Sequence, residues 1–89
     1  MAPAATVVHE PEAHRYRLVT GDGEVGELTY RELDPGVVAF LHTEVAPELQ
    51  GGGLGSLLVE RALADARARG LEVVPVCPFV AAYLERHTR

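Results

Sequence analysis

The residues with the clearest chemical potential lie in the run Gln50-Gly51-Gly52-Gly53-Leu54-Gly55-Ser56. Glycines let a ligand approach the backbone with no Cβ atoms in the way. A buried-strand pattern precedes the run and a helical pattern follows it, so the run leads into a helix N-terminus. Such a place offers unpaired N–H groups and the positive end of a helix dipole, which suit a phosphate or pyrophosphate. Two familiar phosphate loops do not fit. A Walker A loop ends in Gly-Lys-Ser/Thr, and this chain has no lysine. The dinucleotide pattern Gly-x-Gly-x-x-Gly also fails: the sixth residue is Ser56 counted from Gly51 and Leu58 counted from Gly53. What remains is Gln50-x-x-Gly53-x-Gly55, which by itself also reads as a flexible connector.

Three further residues can move protons or act as nucleophiles near that loop. His42 and Glu44 lie at the end of the strand before it, and Cys77 lies just after the strand that follows the helix. In parallel neighbouring strands both carboxyl ends lie on one edge of the sheet, where open α/β sheets bind ligands. Two-residue spacing puts His42 and Glu44 on the same strand face as Val38 and Phe40. Cys77 precedes Pro78 and reads as the N-cap of the last helix, where thiolate is stabilised. That makes it a candidate nucleophile or proton donor. The plain alternative is a buried cysteine acting as a small hydrophobe. Glu44 reads best as a solvated charge, and Phe79 and Tyr83 as core residues. His9, His14 and His87 have no metal-ligand spacing, so no metal site is expected.

The elements that must position these residues follow from patterning. Val7 and Val8 begin a short strand. Residues 14–19 and 24–31 alternate apolar and polar around Thr20-Gly21-Asp22-Gly23, which predicts an antiparallel hairpin. Val37 to about Val45 is apolar on both faces at its start, the pattern of a covered central strand. Leu58, Val59, Ala62, Leu63 and Ala66 make an apolar stripe on a helix over 54–69, stopped by Gly70. Leu71 to Val76 reads as a second buried strand, and Pro75 within it implies an edge position or a bulge. Residues 78–87 form a short helix with Pro78 in its first turn. The predicted fold class is α+β: a mixed β-sheet with one β-α-β unit, residues 1–5 as a flexible tail and residues 6–89 as one domain.

Composition narrows the function. The chain has 89 residues, 8 Lys plus Arg, 13 Asp plus Glu and a formal net charge of -5. An acidic chain of this kind makes a poor nucleic-acid binder, which needs dense basic surface. A single cysteine excludes an internal disulfide. No long apolar run and no secretory signal stand out, so the expected setting is cytoplasmic with no membrane partner.

Three segments together resemble the Gcn5-related N-acetyltransferases, in particular the small single-domain YjdJ-type members. They are Phe40-Leu41-His42-Thr43-Glu44-Val45, the loop from Gln50 to Gly55, and Val74-Pro75-Val76-Cys77-Pro78-Phe79-Val80. The resemblance covers about residues 6–88. It implies acetyl-CoA as cosubstrate. By family logic the pantetheine arm would run near Val45, and the pyrophosphate would lie on the loop formed by Gln50, Gly51, Gly52, Gly53, Leu54, Gly55 and Ser56. It also implies that His42 and Cys77 are the catalytic pair and that the acceptor is an amine. Larger relatives carry two helices between their first strands, and those helices shape the acceptor pocket. Here only Pro11 to Ala13 separates the strands, so that pocket is largely missing, or is open, or is completed by another chain. The expected state is a monomer or a weak homodimer. A non-catalytic CoA-binding or protein-interaction module is the alternative function.

Overall fold

The structure, a computed structural model, describes residues 4–87. Five strands form one sheet in the order β1-β2-β3-β4-β5. They are β1 (Thr6–Glu10), β2 (Arg15–Thr20), β3 (Gly23–Asp34), β4 (Val37–Val45) and β5 (Glu72–Pro75). A short 3-10 turn, Pro11–Ala13, joins β1 to β2, and another, Pro47–Leu49, follows β4. Helix α1 (Leu54–Ala68) crosses from β4 to β5, and α2 (Pro78–His87) closes the described chain. β1 to β4 pair antiparallel, and β4 pairs with β5 in parallel. This is the mixed α+β sheet that the patterning predicts, with no helices between β1 and β2.

Some boundaries move. β3 runs to Asp34, three residues past the predicted end, because Arg31, Glu32 and Asp34 still pair with β4. β5 is shorter than predicted and lies at the sheet edge, where Pro75 is tolerated. Of the predicted N-terminal tail, residues 1–3 lie outside the described residues, and Ala5 packs against the core.

Alternation decides what each strand buries. Tyr16 and Leu18 of β2, Leu28 of β3, and Val38 and Phe40 of β4 face inward and join the stripe of α1 and Val80 and Tyr83 of α2 in one cluster. Phe40, Leu18, Leu28, Leu58 and Val59 are almost fully buried. Each such side chain contributes about 1.5–3 kcal/mol on leaving water. The outward residues form a charged lattice instead. Arg15 bridges Glu10, Glu24 and Glu27 at 2.7–2.9 Å, and Arg17 reaches Glu10 at 3.2 Å. Such a sheet keeps one face packed and one face wet.

Helix α1 ends where Gly70 adopts φ 72°. The Leu71 amide donates to the Ala66 carbonyl and the Gly70 amide to the Arg67 carbonyl, both at 2.9 Å. This pair of bonds satisfies the last carbonyls and turns the chain into β5.

Candidate active site

Two irregularities on β4 and β5 open the site. The parallel ladder runs from Val37↔Glu72 to Phe40↔Pro75 and stops. Pro75 has no N–H to continue it. The chain then turns sharply, and the Cys77 amide donates back to the Phe40 carbonyl at 2.9 Å. Beyond that point β4 runs on to Val45 with nothing paired on its β5 side. On the other side, Phe40 pairs with Tyr30 but His42 pairs with Thr29, so Leu41 is an extra residue. A bulge of this kind reverses the facing of every residue after it.

That reversal corrects the two-residue reading of His42 and Glu44. Val38 and Phe40 are buried, whereas His42 and Glu44 are exposed beside Thr29 and Glu27 on the wet face. Thr43 and Val45 take over the inward direction, opposite Leu28 and Gly26. Cys77 therefore meets Thr43 rather than His42. Its thiol is 3% exposed and donates to Thr43 Oγ1 at 3.5 Å. Burial alone would push the thiol pKa up. The Thr43 hydroxyl and the backbone amides of Val80, Phe79 and Thr43 outweigh burial and hold it below its ordinary value. The sulfur thus sits as expected at the start of α2, where the first free amides of a helix favour thiolate. The Ala81 amide donates to the Cys77 carbonyl at 3.0 Å, which fixes Cys77 as the cap residue.

The glycine loop meets this opening from the other side. Gly51 and Gly53 take φ of 89° and 87°, which other residues rarely adopt. Gly53 is the N-cap of α1, yet no side chain caps that end and no acidic residue lies in its first turn. The first intrahelical bond runs from the Leu57 amide to the Gly53 carbonyl, at 3.0 Å. The amides of Leu54, Gly55 and Ser56 are left without intrahelical acceptors. Gln50 does a different job: its side-chain amide donates to the Val45 carbonyl at 3.0 Å and ties the loop to the strand end.

A cleft of about 550 Å³ lies between these parts. Val45, Gln50, Gly51, Gly53, Gly55 and Ser56 line it, together with His42, Thr43 and Glu44. Gly52 and Leu54 do not; Leu54 packs against the core. Cys77 lies one layer behind Thr43. Three lining residues, Thr43, Phe79 and Arg86, escaped the sequence reading as site residues. Phe79 was expected in the core but is 41% exposed. Val80 and Tyr83 carry the buried stripe of α2, which turns Phe79 toward α1. A Cβ on Gly55 would come within 2.9 Å of its ring, so the glycine lets the ring approach α1 without shifting. Arg86 is seven residues further on, two helical turns, and therefore on the same side of α2. That spacing was the available signal. A second cavity, about 330 Å³, meets the first at Glu44, Val45 and Gln50. Glu24 and Glu27 on its wall are already paired with Arg15. No group of three metal-ligating side chains occurs among the described residues.

The family model for GCN5-related N-acetyl-transferases matches residues 15–89. The chain belongs to this family. The fold of this GCN5-related family member recurs in solved structures. A GCN5-like protein from Staphylococcus aureus is 26% identical with a TM-score of 0.70; the match covers 91% of this chain and 78% of that one. A Mycobacterium tuberculosis protein solved with CoA is 24% identical with a TM-score of 0.65, over 88% of this chain and 50% of that one. A Bacillus subtilis acetyltransferase in complex with CoA is 19% identical with a TM-score of 0.62, over 81% and 63%. The chain thus spans one half to two thirds of those two CoA-bound proteins. No curated protein matches the sequence. No helix of the described residues is long and apolar enough to cross a membrane.

Proposed function

We propose that this chain is an acetyl-CoA-dependent N-acetyltransferase acting on an amine. The observation that carries the reading is the uncapped start of α1, with Gly51 and Gly53 in left-handed conformation, opening onto the unpaired edge of β4. Free amides, no competing carboxylate in the first turn and a cleft of about 550 Å³ fit a pyrophosphate with an extended arm. The family membership and the CoA held by two structural neighbours support the same ligand. Bound acetyl-CoA supplies the activated acetyl thioester.

The remaining work falls to the chain's own residues. Beyond Phe40 no strand pairs on the β5 side of β4, and the backbone groups left free there orient an extended arm by strand-like hydrogen bonds. The amides at the start of α1 hold phosphate oxygens. His42, on the wet face, takes the proton from the incoming amine, directly or through a water. Cys77, on the inward face, holds a proton at Sγ beside Thr43. His42 and Cys77 thus act from opposite sides of β4 rather than as a contacting pair. A thiol 3% exposed suits proton donation better than carrying an acetyl group. The second cavity gives the amine a route past Glu44 that does not cross the glycine loop. The domain works as residues 6–89, in a cytoplasmic setting, as a monomer or weak homodimer.

Thermal-shift titration with acetyl-CoA, CoA and ATP tests the cosubstrate, since a native-state ligand must raise the melting temperature. Acetyl-CoA and CoA are expected to raise it and ATP to leave it unchanged. Release of free CoA thiol in the presence of a panel of polyamines, amino acids and lysine peptides then reads transfer. His42→Ala is expected to lower turnover by about 10²–10⁴-fold while CoA binding persists. Binding with no transfer to any amine would leave a CoA-binding module, and no binding at all would overturn the reading.

A further inference from the structure

Helix α2 carries two features at its two ends that the reaction above does not both use. Cys77 caps its N-terminus, and Arg86 lies in its last turn. Nine residues separate them, about 13 Å along a helix axis. Phe79 and Arg86 share one side of the helix and form the wall of the cleft facing the glycine loop. Arg86 is the one arginine on that wall, and the chain has no lysine. Among the described residues, Arg15, Arg17, Arg61 and Arg69 are committed to carboxylates, whereas Arg31, Arg67 and Arg86 form no ion pair, and of these three Arg86 lines the cleft. A guanidinium with no carboxylate partner, facing a cleft on a chain of net charge -5, attracts an anion into that cleft.

The amides at the start of α1 already suit one diphosphate. The Phe79 ring meets Gly55 at the start of α1, and Arg86 lies seven residues further along α2, about 10 Å by helix rise. CoA has a second anionic group apart from its pyrophosphate, the phosphate monoester on the 3′ oxygen of its ribose. The polarity of α2 matches the polarity of that ligand, with the thioester end toward the N-terminus of α2 and the phosphorylated ribose toward Arg86. A planar guanidinium binds a phosphate monoester through paired, charge-assisted hydrogen bonds.

We propose that Arg86 is a specificity residue that binds the 3′-phosphate and makes the cleft prefer CoA to 3′-dephospho-CoA. This rests on the CoA reading of the cleft. The test is isothermal titration of the full chain and of Arg86→Gln and Arg86→Lys with CoA and with 3′-dephospho-CoA. The unaltered chain is expected to bind CoA at least about tenfold more tightly than 3′-dephospho-CoA. Arg86→Gln is expected to erase that preference by weakening CoA alone, and Arg86→Lys to restore part of it. The preference should also shrink as salt rises. Equal loss for both ligands in Arg86→Gln, or no change for either, overturns the assignment while leaving CoA binding in place. Failure of the unaltered chain to bind either ligand instead overturns the CoA reading itself.

Discussion

Thr43 is the residue on which the chemistry of Cys77 turns. Its hydroxyl accepts from the thiol at 3.5 Å and, turned about, donates to the thiolate. Burial would raise the thiol pKa, and Thr43 is the first of the groups that reverse this. Thr43→Val keeps the shape and removes the hydroxyl. The thiol pKa should then climb toward its ordinary value, leaving less thiolate at a given pH below it. Cys77 is the single cysteine, so an ultraviolet titration of thiolate absorbance reads this group alone. Thr43→Ser should keep the original curve. Superimposed curves for Thr43→Val and the unaltered chain would show that the amides of α2 suffice. Cys77 itself was legible in the sequence, because the residue before Pro78 had to sit at a helix start. Thr43 was not, because its direction depends on an irregularity in the strand.

That irregularity belongs to the element scale. Alternation along β4 reads correctly through Phe40 and fails after it, since one extra residue at Leu41 reverses every side chain to Val45. Period-two patterning carries no signal for a bulge whose flanks are Leu41, His42 and Thr43, none of them glycine. The strand assignments, the helix stripe and the Gly70 stop were all legible because each rests on local repetition or local turn chemistry. Pro75 was legible as an anomaly, and the structure shows its use: it ends the ladder at the point where the strands must part. Gly26 marks another close approach. A Cβ there would lie 2.7 Å from the Glu44 carbonyl oxygen and 3.3 Å from Val45 Cγ2. Both neighbours are held, one as backbone and the other by packing. Gly26→Ala should therefore push β3 from the end of β4 and cost about 1–3 kcal/mol of stability. Urea unfolding measures this, and the same variant should loosen the cleft wall at Glu44 and Val45. An unchanged midpoint would show that the strand end gives way freely.

At the scale of the whole molecule, one polar cluster joins the sheet's edge to its long helix. His9 of β1 stacks on Tyr16 at 4.3 Å and bonds the Tyr30 hydroxyl at 2.7 Å through Nε2. Tyr16 donates to Asp65 of α1 at 2.7 Å, and Arg69 meets both Asp65 at 2.8 Å and His9 Nδ1 at 3.2 Å. Arginine only donates, so Nδ1 accepts and the proton of neutral His9 sits on Nε2, directed at Tyr30. Burial lowers the His9 pKa below 6.5, against the pull of Asp65 and with the push of Arg69. The unfolded chain therefore takes up this proton first, and stability falls as pH drops from 6.5 toward the folded value. Burial alone would raise the Asp65 pKa, but the bonds from Tyr16 and Arg69 hold it below 3.8, so its contribution is lost only at still lower pH. His9→Gln should flatten the first part of the melting-temperature profile and shift the second only slightly, since Tyr16 and Arg69 hold the Asp65 carboxylate more strongly than His9 does. Parallel profiles would place the mild-acid sensitivity elsewhere. The same edge of the sheet holds the three-residue turn Pro11–Ala13. Arg15, just past it, pairs with Thr29, which pairs with His42, so the turn stands about two strand spacings, roughly 10 Å, from the proposed base. All three turn residues are exposed and none is buried in the core. A segment grafted into that turn would displace no buried turn residue and would stand beside His42, the proposed base, so a graft there could add a wall on the side where the amine is proposed to enter.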